Sequence, residues 1–307
     1  MDYESSYCDE ITITPRNYPF HFVEQRDIES HYAIIGMAYV SDGYPLYYEA
    51  INEKGLCIAG LNFVGNAIYN KKAEGRDNIA QYELIPWLLC QCTSVKEAET
   101  LIEKMNLLDT PFSAQLPPAQ LHWLISDKDR SITVEPVTEG LKVYDNPVGV
   151  LTNNPTFDKQ LFTLNNYMHL SPKQPQNAFA KELHLKPYSL GMGAIGLHGD
   201  LSSQSRFIKA VFTKMNSVSE SSEKESVSQV FHILNSVDQQ MGCNQLDNGN
   251  YELTIYTSCC NADKGIYYYT AYNNHQITAV DMHRENLDGA KIIHYPMIKE
   301  EQIRLQN

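Results

Sequence analysis

From His31 to Phe63 the chain reads as three consecutive strands, His31–Val40, Leu46–Ala50 and Leu56–Phe63. Only Ser41-Asp42-Gly43 and Asn52-Glu53-Lys54-Gly55 punctuate them, and both are turn chemistry. A parallel return between neighbouring strands needs a crossover of about a dozen residues or more, and these connections leave no room for one. The stretch is therefore an antiparallel meander, which confines the chain to folds built on antiparallel sheets. Ile11–Thr14, which alternates and stops at Pro15, adds a strand ahead of it.

Beyond the meander the hydrophobic period changes. Ser94-Val95-Lys96-Glu97 has the form of a capping box, and Ala98, Leu101, Ile102 and Met105 recur behind it at helical spacing. Leu108–Pro118, with its prolines, reads as a loop. Leu121–Ser126, Ser131–Val137 and Leu141–Tyr144 are expected as short strands, turning at Asp127–Arg130 and Glu139-Gly140. Phe157–Leu170 is expected to be helical, followed by a linker over Ser171–Gln176. Ser203–Met215 and Val227–Met241 read as two helices, the second started by Ser226 with Gln229 and stopped by Gly242. The polar stretch Ser217–Ser226 separates them. Tyr251–Cys259, Gly265–Tyr272 and Gln276–Asp281 close the chain as strands, with Lys291–Tyr295 as one more. Strands, then helices, then strands again give an α+β fold, not a parallel Rossmann sheet. No repeat or composition break divides residues 1–307, which predicts one domain.

Composition narrows the partners. A formal net charge of -13, with Lys71-Lys72 a pair and not a patch, argues against nucleic acid. Apolar runs such as Leu56–Val64 are interrupted by Gly or polar residues and fall short of membrane-spanning length. The acidic start Met1-Asp2-Tyr3-Glu4 does not have the form of a signal peptide. Seven cysteines form an odd set without framework spacing, so the expected location is a reducing cytoplasm. Cys90-Gln91-Cys92 and Cys259-Cys260 lack the spacing of a zinc site and read as buried thiols on a helix and a strand. Neither metal nor cofactor is expected.

Gly191-Met192-Gly193-Ala194-Ile195-Gly196 matches a dinucleotide-binding pattern in letters only. The stretch before it, Leu185–Leu190, contains Pro187 and reads as a loop, whereas that motif follows a buried strand. No Gly-x-Ser-x-Gly elbow and no His-Glu-x-x-His is present. Three other residues stand in more telling contexts. Asn62 ends the run Leu56–Leu61, where a carboxamide can aim its N–H at a developing oxyanion. Asn153 ends Gly149-Val150-Leu151-Thr152, and Arg206 follows Ser205 near a helix start. Each alone fits a turn former or a surface residue as well.

Read in order, longer words carry a resemblance. Tyr44-Pro45-Leu46-Tyr47-Tyr48, Asn52–Asn62, Leu121-His122-Trp123 and Asn146–Pro155 are four of them. Gly199-Asp200 with Ser205-Arg206-Phe207, and Tyr256–Cys259 with Lys264–Tyr269, complete the set. Over nearly its whole length the chain resembles the choloylglycine hydrolase family, which holds bile salt hydrolases and, as relatives, penicillin V acylases. The resemblance implies an N-terminal nucleophile hydrolase: an αββα sandwich of two antiparallel sheets between helical layers, assembled as a homotetramer. It implies cleavage of glycine- or taurine-conjugated bile acids by an N-terminal Cys whose own α-amine acts as base. Such an amine has a reference pKa of about 7.7–8.0, near working pH.

Position by position, the resemblance implies that Asp2 is the aspartate of a Gly-Arg-Asn-x-Asp motif that holds the nucleophile. Asn62 and Asn153 would surround the oxyanion, and Arg206 would orient the site by charge-assisted hydrogen bonds. Phe112 and Leu116 would line the steroid pocket. The family's Cys, its first strand and its Gly-Arg-Asn have no counterpart in residues 1–307, and Cys8 falls after the motif. His198 stands where relatives usually show Pro. The expectation is an N-terminally truncated hydrolase impaired by the missing nucleophile. An inactive steroid-binding remnant and a penicillin V acylase-type amidase are the alternatives.

Overall fold

The antiparallel meander forms the middle of an eight-stranded sheet in the computed structural model, which describes residues 1–307. The chain begins with β1 (Asp2–Tyr3) and β2 (Glu10–Thr14), then runs through the meander β3 (Ile34–Ser41), β4 (Tyr44–Asn52) and β5 (Cys57–Asn62). There follow β6 (Asp77–Ala80), the helices α1 (Leu84–Gln91) and α2 (Val95–Ile102), and β7 (Met105–Leu108). Next come β8 (Leu121–Ser126), β9 (Ser131–Val137) and β10 (Gly140–Asp145), then the helices α3 (Phe157–Thr163), α4 (Ser203–Asn216) and α5 (Glu223–Asn235). β11 (Leu253–Thr254), β12 (Tyr256–Asn261), β13 (Ile266–Ala271), β14 (Asn274–Asp281) and β15 (Ile293–Pro296) complete the chain.

The large sheet has the order β10-β9-β8-β5-β4-β3-β2-β15, so the last strand closes beside β2 with Ile293 opposite Ile13. The β3–β4 turn is tight because Asp42 and Gly43 both take positive φ, 51° and 77°. The β4–β5 turn is organised by Asn52. Its Nδ2 donates to the Leu89 and Cys92 carbonyls at 2.8 and 2.7 Å, and its Oδ1 accepts from the Lys54 and Leu56 amides at 3.1 Å each. One buried side chain thus stitches the turn to the end of α1.

One face of the large sheet packs on α1 and α2, burying Ile58, Trp123 and Ile125 against Leu84, Trp87 and Leu88. The other face is covered in two parts. The small sheet β12-β13-β14 lies over the β2–β4 side, where Ile11, Ile13 and Ile35 meet Tyr267 and Tyr269. Leu151 with Phe157 and Phe207, from the α3–α4 region, covers the β8–β10 side. α5 packs on β12, with Glu223 accepting from Tyr268, which alternates away from the core-facing Tyr267. The layers run helix, sheet, sheet, helix.

Several elements differ from the sequence expectation. Cys90 lies buried on a helix as expected, but the bounds of α1 were not set: seven of its eight residues are buried, so Leu-Ile-Pro-Trp-Leu-Leu-Cys-Gln shows no amphipathic period. Met105, expected as the last helical residue after Ile102, instead starts β7, which pairs in parallel with β6. α3 ends at Thr163 and gives way to a 3-10 turn over Leu164–Tyr167 instead of running to Leu170. α5 starts at Glu223, not Val227, because Ser222 caps the Glu225 amide and Lys264 holds Glu223 at 2.6 Å. The Gly191 segment is a loop as expected, with Gly191 at φ 82° opening a single 3-10 turn.

Candidate active site

Asp2 on β1, Asn62 at the end of β5, Asn153 in the loop before α3 and Arg206 in the first turns of α4 meet in one hydrogen-bonded path. Arg206 donates from Nη2 to Asn153 Oδ1 at 2.7 Å, from Nη1 to Asp2 Oδ2 at 3.4 Å and from Nε to the Leu201 carbonyl at 3.0 Å. Asn153 Nδ2 donates to the Asn62 carbonyl at 3.0 Å. Asp2 also accepts from Thr254 Oγ1 at 2.6 Å and Gln239 Nε2 at 3.2 Å. The path uses only the main chain of Asn62, and its side chain is exposed.

Electrostatics keep this cluster asymmetric. The Arg206 and Asp2 side chains are 13% and 22% exposed, so their attraction is only partly screened. Burial pushes the Asp2 carboxyl up, but the Met1 ammonium, the Thr254 hydrogen bond, Arg206 and Gln239 outweigh it and hold it below the usual carboxylate range. Glu252 and Asp238 nearby shift the other way, by burial first and then by the Asp2 charge.

The loop that presents Asn153 is bound on every side. The Asn153 amide donates to Ser203 Oγ at 2.9 Å, and Gln160 Nε2 donates to the Asn153 and Pro155 carbonyls at 2.5 and 2.9 Å. Below it lies a pair that the sequence did not single out as functional. His122 and Glu135 are fully buried, with Nδ1 and Oε1 3.0 Å apart, and His122 Nε2 is 2.7 Å from the Thr152 carbonyl. Phe63 stacks on the imidazole at 4.2 Å, and Glu135 accepts the Phe157 amide at 3.1 Å. The pair grips the loop on both sides of Asn153, His122 from strand β8, whose Leu121 pairs with Asn62, and Glu135 from β9.

Phe112 and Leu116 sit in the loop between β7 and β8, half-buried, with the Phe112 amide donating to the Leu116 carbonyl at 3.1 Å. The Phe112 ring packs on Tyr44 and Tyr82, at 5.8 and 5.2 Å between centroids, and neither residue joins the Asp2–Asn62 path. The end of that loop is fastened beside Asn62, where Gln120 accepts from the Phe63 and Gly65 amides. A cavity of about 200 Å³ adjoins Arg206 and is also lined by Lys209, Asp200 and Asp238. A larger one, about 530 Å³, lies at the far end of β4 around Arg16 and Glu53, which already pair at 2.6 Å. It is remote from this chemistry.

No bond of the path involves a cysteine. Burial pushes the thiols of Cys57 and Cys259 up to about 12, and Cys8 is exposed at a φ of 69°. Ser205, His198 and Asp200 do cluster, but Ser205 Oγ donates to Asp200 at 2.6 Å, and Tyr167 closes the other side of His198. They lock the start of α4 and do not form a nucleophile. No helix is long and apolar enough to cross a membrane.

Comparison with known proteins agrees with this architecture. The family profile of linear amide C–N hydrolases, choloylglycine hydrolase family, matches residues 1–295. Bile salt hydrolase/transferase of Lactiplantibacillus plantarum is 56% identical over 302 residues, 98% of this chain and 93% of that protein. The Clostridium perfringens bile salt hydrolase/transferase is 39% identical over 298 residues, 96% of this chain and 91% of that protein. A solved variant of conjugated bile acid hydrolase from Clostridium perfringens superposes with a TM-score of 0.91 at 39% identity, covering 100% of this chain and 94% of that one. Penicillin V acylase from Agrobacterium tumefaciens, at 19% identity, has a TM-score of 0.74 over 96% of this chain and 86% of its own, a likeness of fold alone. With its sheets, its helical layers and its sequence all in register with these relatives, the chain belongs to the choloylglycine hydrolase family of linear amide C–N hydrolases.

Proposed function

We propose that the chain binds glycine- or taurine-conjugated bile salts and polarises their amide carbonyl, the oxyanion-holding part of a bile salt hydrolase. The bond path from Asp2 through Arg206 and Asn153 to Asn62 is the observation that carries this reading. The free carboxamide of Asn62 and the second N–H of Asn153 Nδ2 are the donors for a carbonyl oxygen as it becomes negative. Losing one such donor costs on the order of 3 kcal/mol of transition-state stabilisation. Arg206 fixes the Asn153 amide by occupying its oxygen, so the nitrogen faces one way. Asp2 anchors Arg206 and, kept ionised, is suited to holding an amine or thiol brought beside it. Phe112 and Leu116 are assigned to the steroid side of the pocket.

Acyl transfer also needs a nucleophile, and no cysteine of residues 1–307 shares these bonds. Hydrolysis by this polypeptide is therefore expected to be impaired, with steroid binding without turnover as the second reading. The test follows release of glycine or taurine from glycocholate and taurocholate by the purified chain, alongside calorimetric binding of the same bile salts. Binding without release is expected, and fusion of a Cys-led segment ahead of Asp2 is expected to restore release. Release that survives thiol alkylation would remove the cysteine requirement, and absence of binding would remove the bile salt reading. Penicillin V assayed in parallel decides the acylase alternative.

A homotetrameric assembly is proposed on the same family grounds. The arm between α3 and α4 supports it, exposing Met168, Phe179, Tyr188 and Leu190, next to Phe162 on α3. A cytoplasmic location is supported by seven unpaired cysteines.

A further inference from the structure

Four ionisable side chains face the cavity of about 200 Å³ beside Arg206: Arg206 itself, Lys209, Asp200 and Asp238. It lies between the start of α4 and the segment that follows α5. Neither Asn62 nor Asn153 lines it, so it is a space apart from the oxyanion donors.

Two of the four groups are already satisfied. Asp200 accepts from the Ser202 amide at 3.0 Å and from Ser205 Oγ at 2.6 Å, with His198 Nδ1 at 3.4 Å. Arg206 gives one N–H to each of Leu201, Asp2 and Asn153, and Asp2 neutralises its charge. A guanidinium carries five N–H groups, so two on the Nη nitrogens remain available.

The other two groups lack a partner of opposite charge. Lys209 and Asp238 are both half-buried, and neither forms an ion pair with the other or with any other residue. Lys209 makes no hydrogen bond either, and Asp238 has the Thr257 hydroxyl as a neighbour. A charge that has given up part of its water gains more from a partner than an exposed one does. The α4 wall of the cavity therefore presents an open cation, and the wall after α5 an open anion. A ligand of one charge would serve one wall and leave the other as it is. A ligand with both signs serves both. Sites for drug-sized ligands run from about 300 to 1,000 Å³, so this one suits a molecule of few atoms and is too small for a steroid.

We infer that the cavity is a binding site for a small zwitterion, an amino acid or amino sulfonate, with its ammonium on Asp238 and its acid group on Lys209 beside Arg206. The two-point contact discriminates against N-acylated forms, which keep the acid group but have lost the ammonium. The inference is independent of the bile salt reading, since the bonds from Asn153 to Asn62 play no part in it.

An NMR titration of the purified, ¹⁵N-labelled chain tests it. Glycine and taurine are the probes, and N-acetylglycine and methylammonium are their counterparts of one charge. Saturable shifts at the Asp200, Lys209 and Asp238 amides are expected for the zwitterions, with Kd on the order of 1 mM. Glycine without taurine, or the reverse, would support the site and name the acid group it takes. The counterparts are expected to bind about tenfold or more weakly. Asp238→Asn and Lys209→Met are each expected to weaken zwitterion binding about tenfold, whereas Asn62→Ala leaves it in place. Should a variant fail to fold, the comparison of probes on the unaltered chain still decides. Absence of saturable shifts overturns the inference, as does N-acetylglycine or methylammonium binding as tightly as glycine and taurine. Shifts confined to Asn62 and Asn153 would place the zwitterion in the candidate active site and overturn it as well. None of these outcomes reads bile salt binding or amino acid release, so the two proposals fail separately.

Discussion

His122 and Glu135 are wholly enclosed, so removing one leaves the other without its hydrogen-bond partner in apolar surroundings. His122→Leu is expected to cost about 3–5 kcal/mol in urea unfolding, and adding Glu135→Leu to it is expected to recover part of that loss. Arg206 and Asp2 make the second residue-scale case. The Asp2 carboxyl is held below its ordinary value of 3.8, so it stabilises the fold at neutral pH. That contribution is lost as pH falls through the lower, folded value. Arg206→Gln removes one of the groups that depress it, so in a Tm-against-pH series the stability lost on acidification is expected to be smaller and the loss to be complete at a higher pH. Asn62, Asn153 and Arg206 were legible because each sits in a distinctive word of sequence. The His122–Glu135 pair was not, since only the β8–β9 register makes the two neighbours, one step beyond Trp123↔Val134.

Element boundaries follow the same division between local and distant causes. Strands β8 and β9 lie where alternation placed them, Leu121–Ser126 and Ser131–Val137, because their turns are written in adjacent residues. The extent of α1 could not be read, since a helix buried all round has no polar face to set a period. The start of α5 was misread because two serines competed for the cap. Ser222 caps Glu225, whereas Ser226 makes only a 3.4 Å contact with the Glu220 carbonyl. Ser222→Ala is expected to cost about 1 kcal/mol and Ser226→Ala much less, by chemical denaturation. Asn52 shows how far a turn residue can reach. Asn52→Leu would orphan two carbonyls at the end of α1 and two amides of the β4–β5 turn. The expected loss is at least about 2 kcal/mol, with faster hydrogen exchange in the turn.

At the scale of the whole molecule, the two ends of the chain and both sheets depend on one another. β15 lies on the outer edge of β2, and Ile11 and Ile13 of β2 are fully buried in the core shared with the small sheet. The sequence pattern of strands, helices and strands was enough to give the layers, but it could not say that the last strand returns beside an early one. That closure predicts how the molecule unfolds. Both tryptophans, Trp87 and Trp123, report on the helix-side core, while Tyr256, Tyr267 and Tyr269 report on the core between the sheets. The large sheet is common to both cores, so neither can open without exposing a face of the other. Trp fluorescence and near-ultraviolet Tyr dichroism are therefore expected to lose their signals at the same urea concentration. A tyrosine transition at lower urea would mean that the small sheet and its helix detach as a separate unit, with the large sheet stable on α1 and α2 alone.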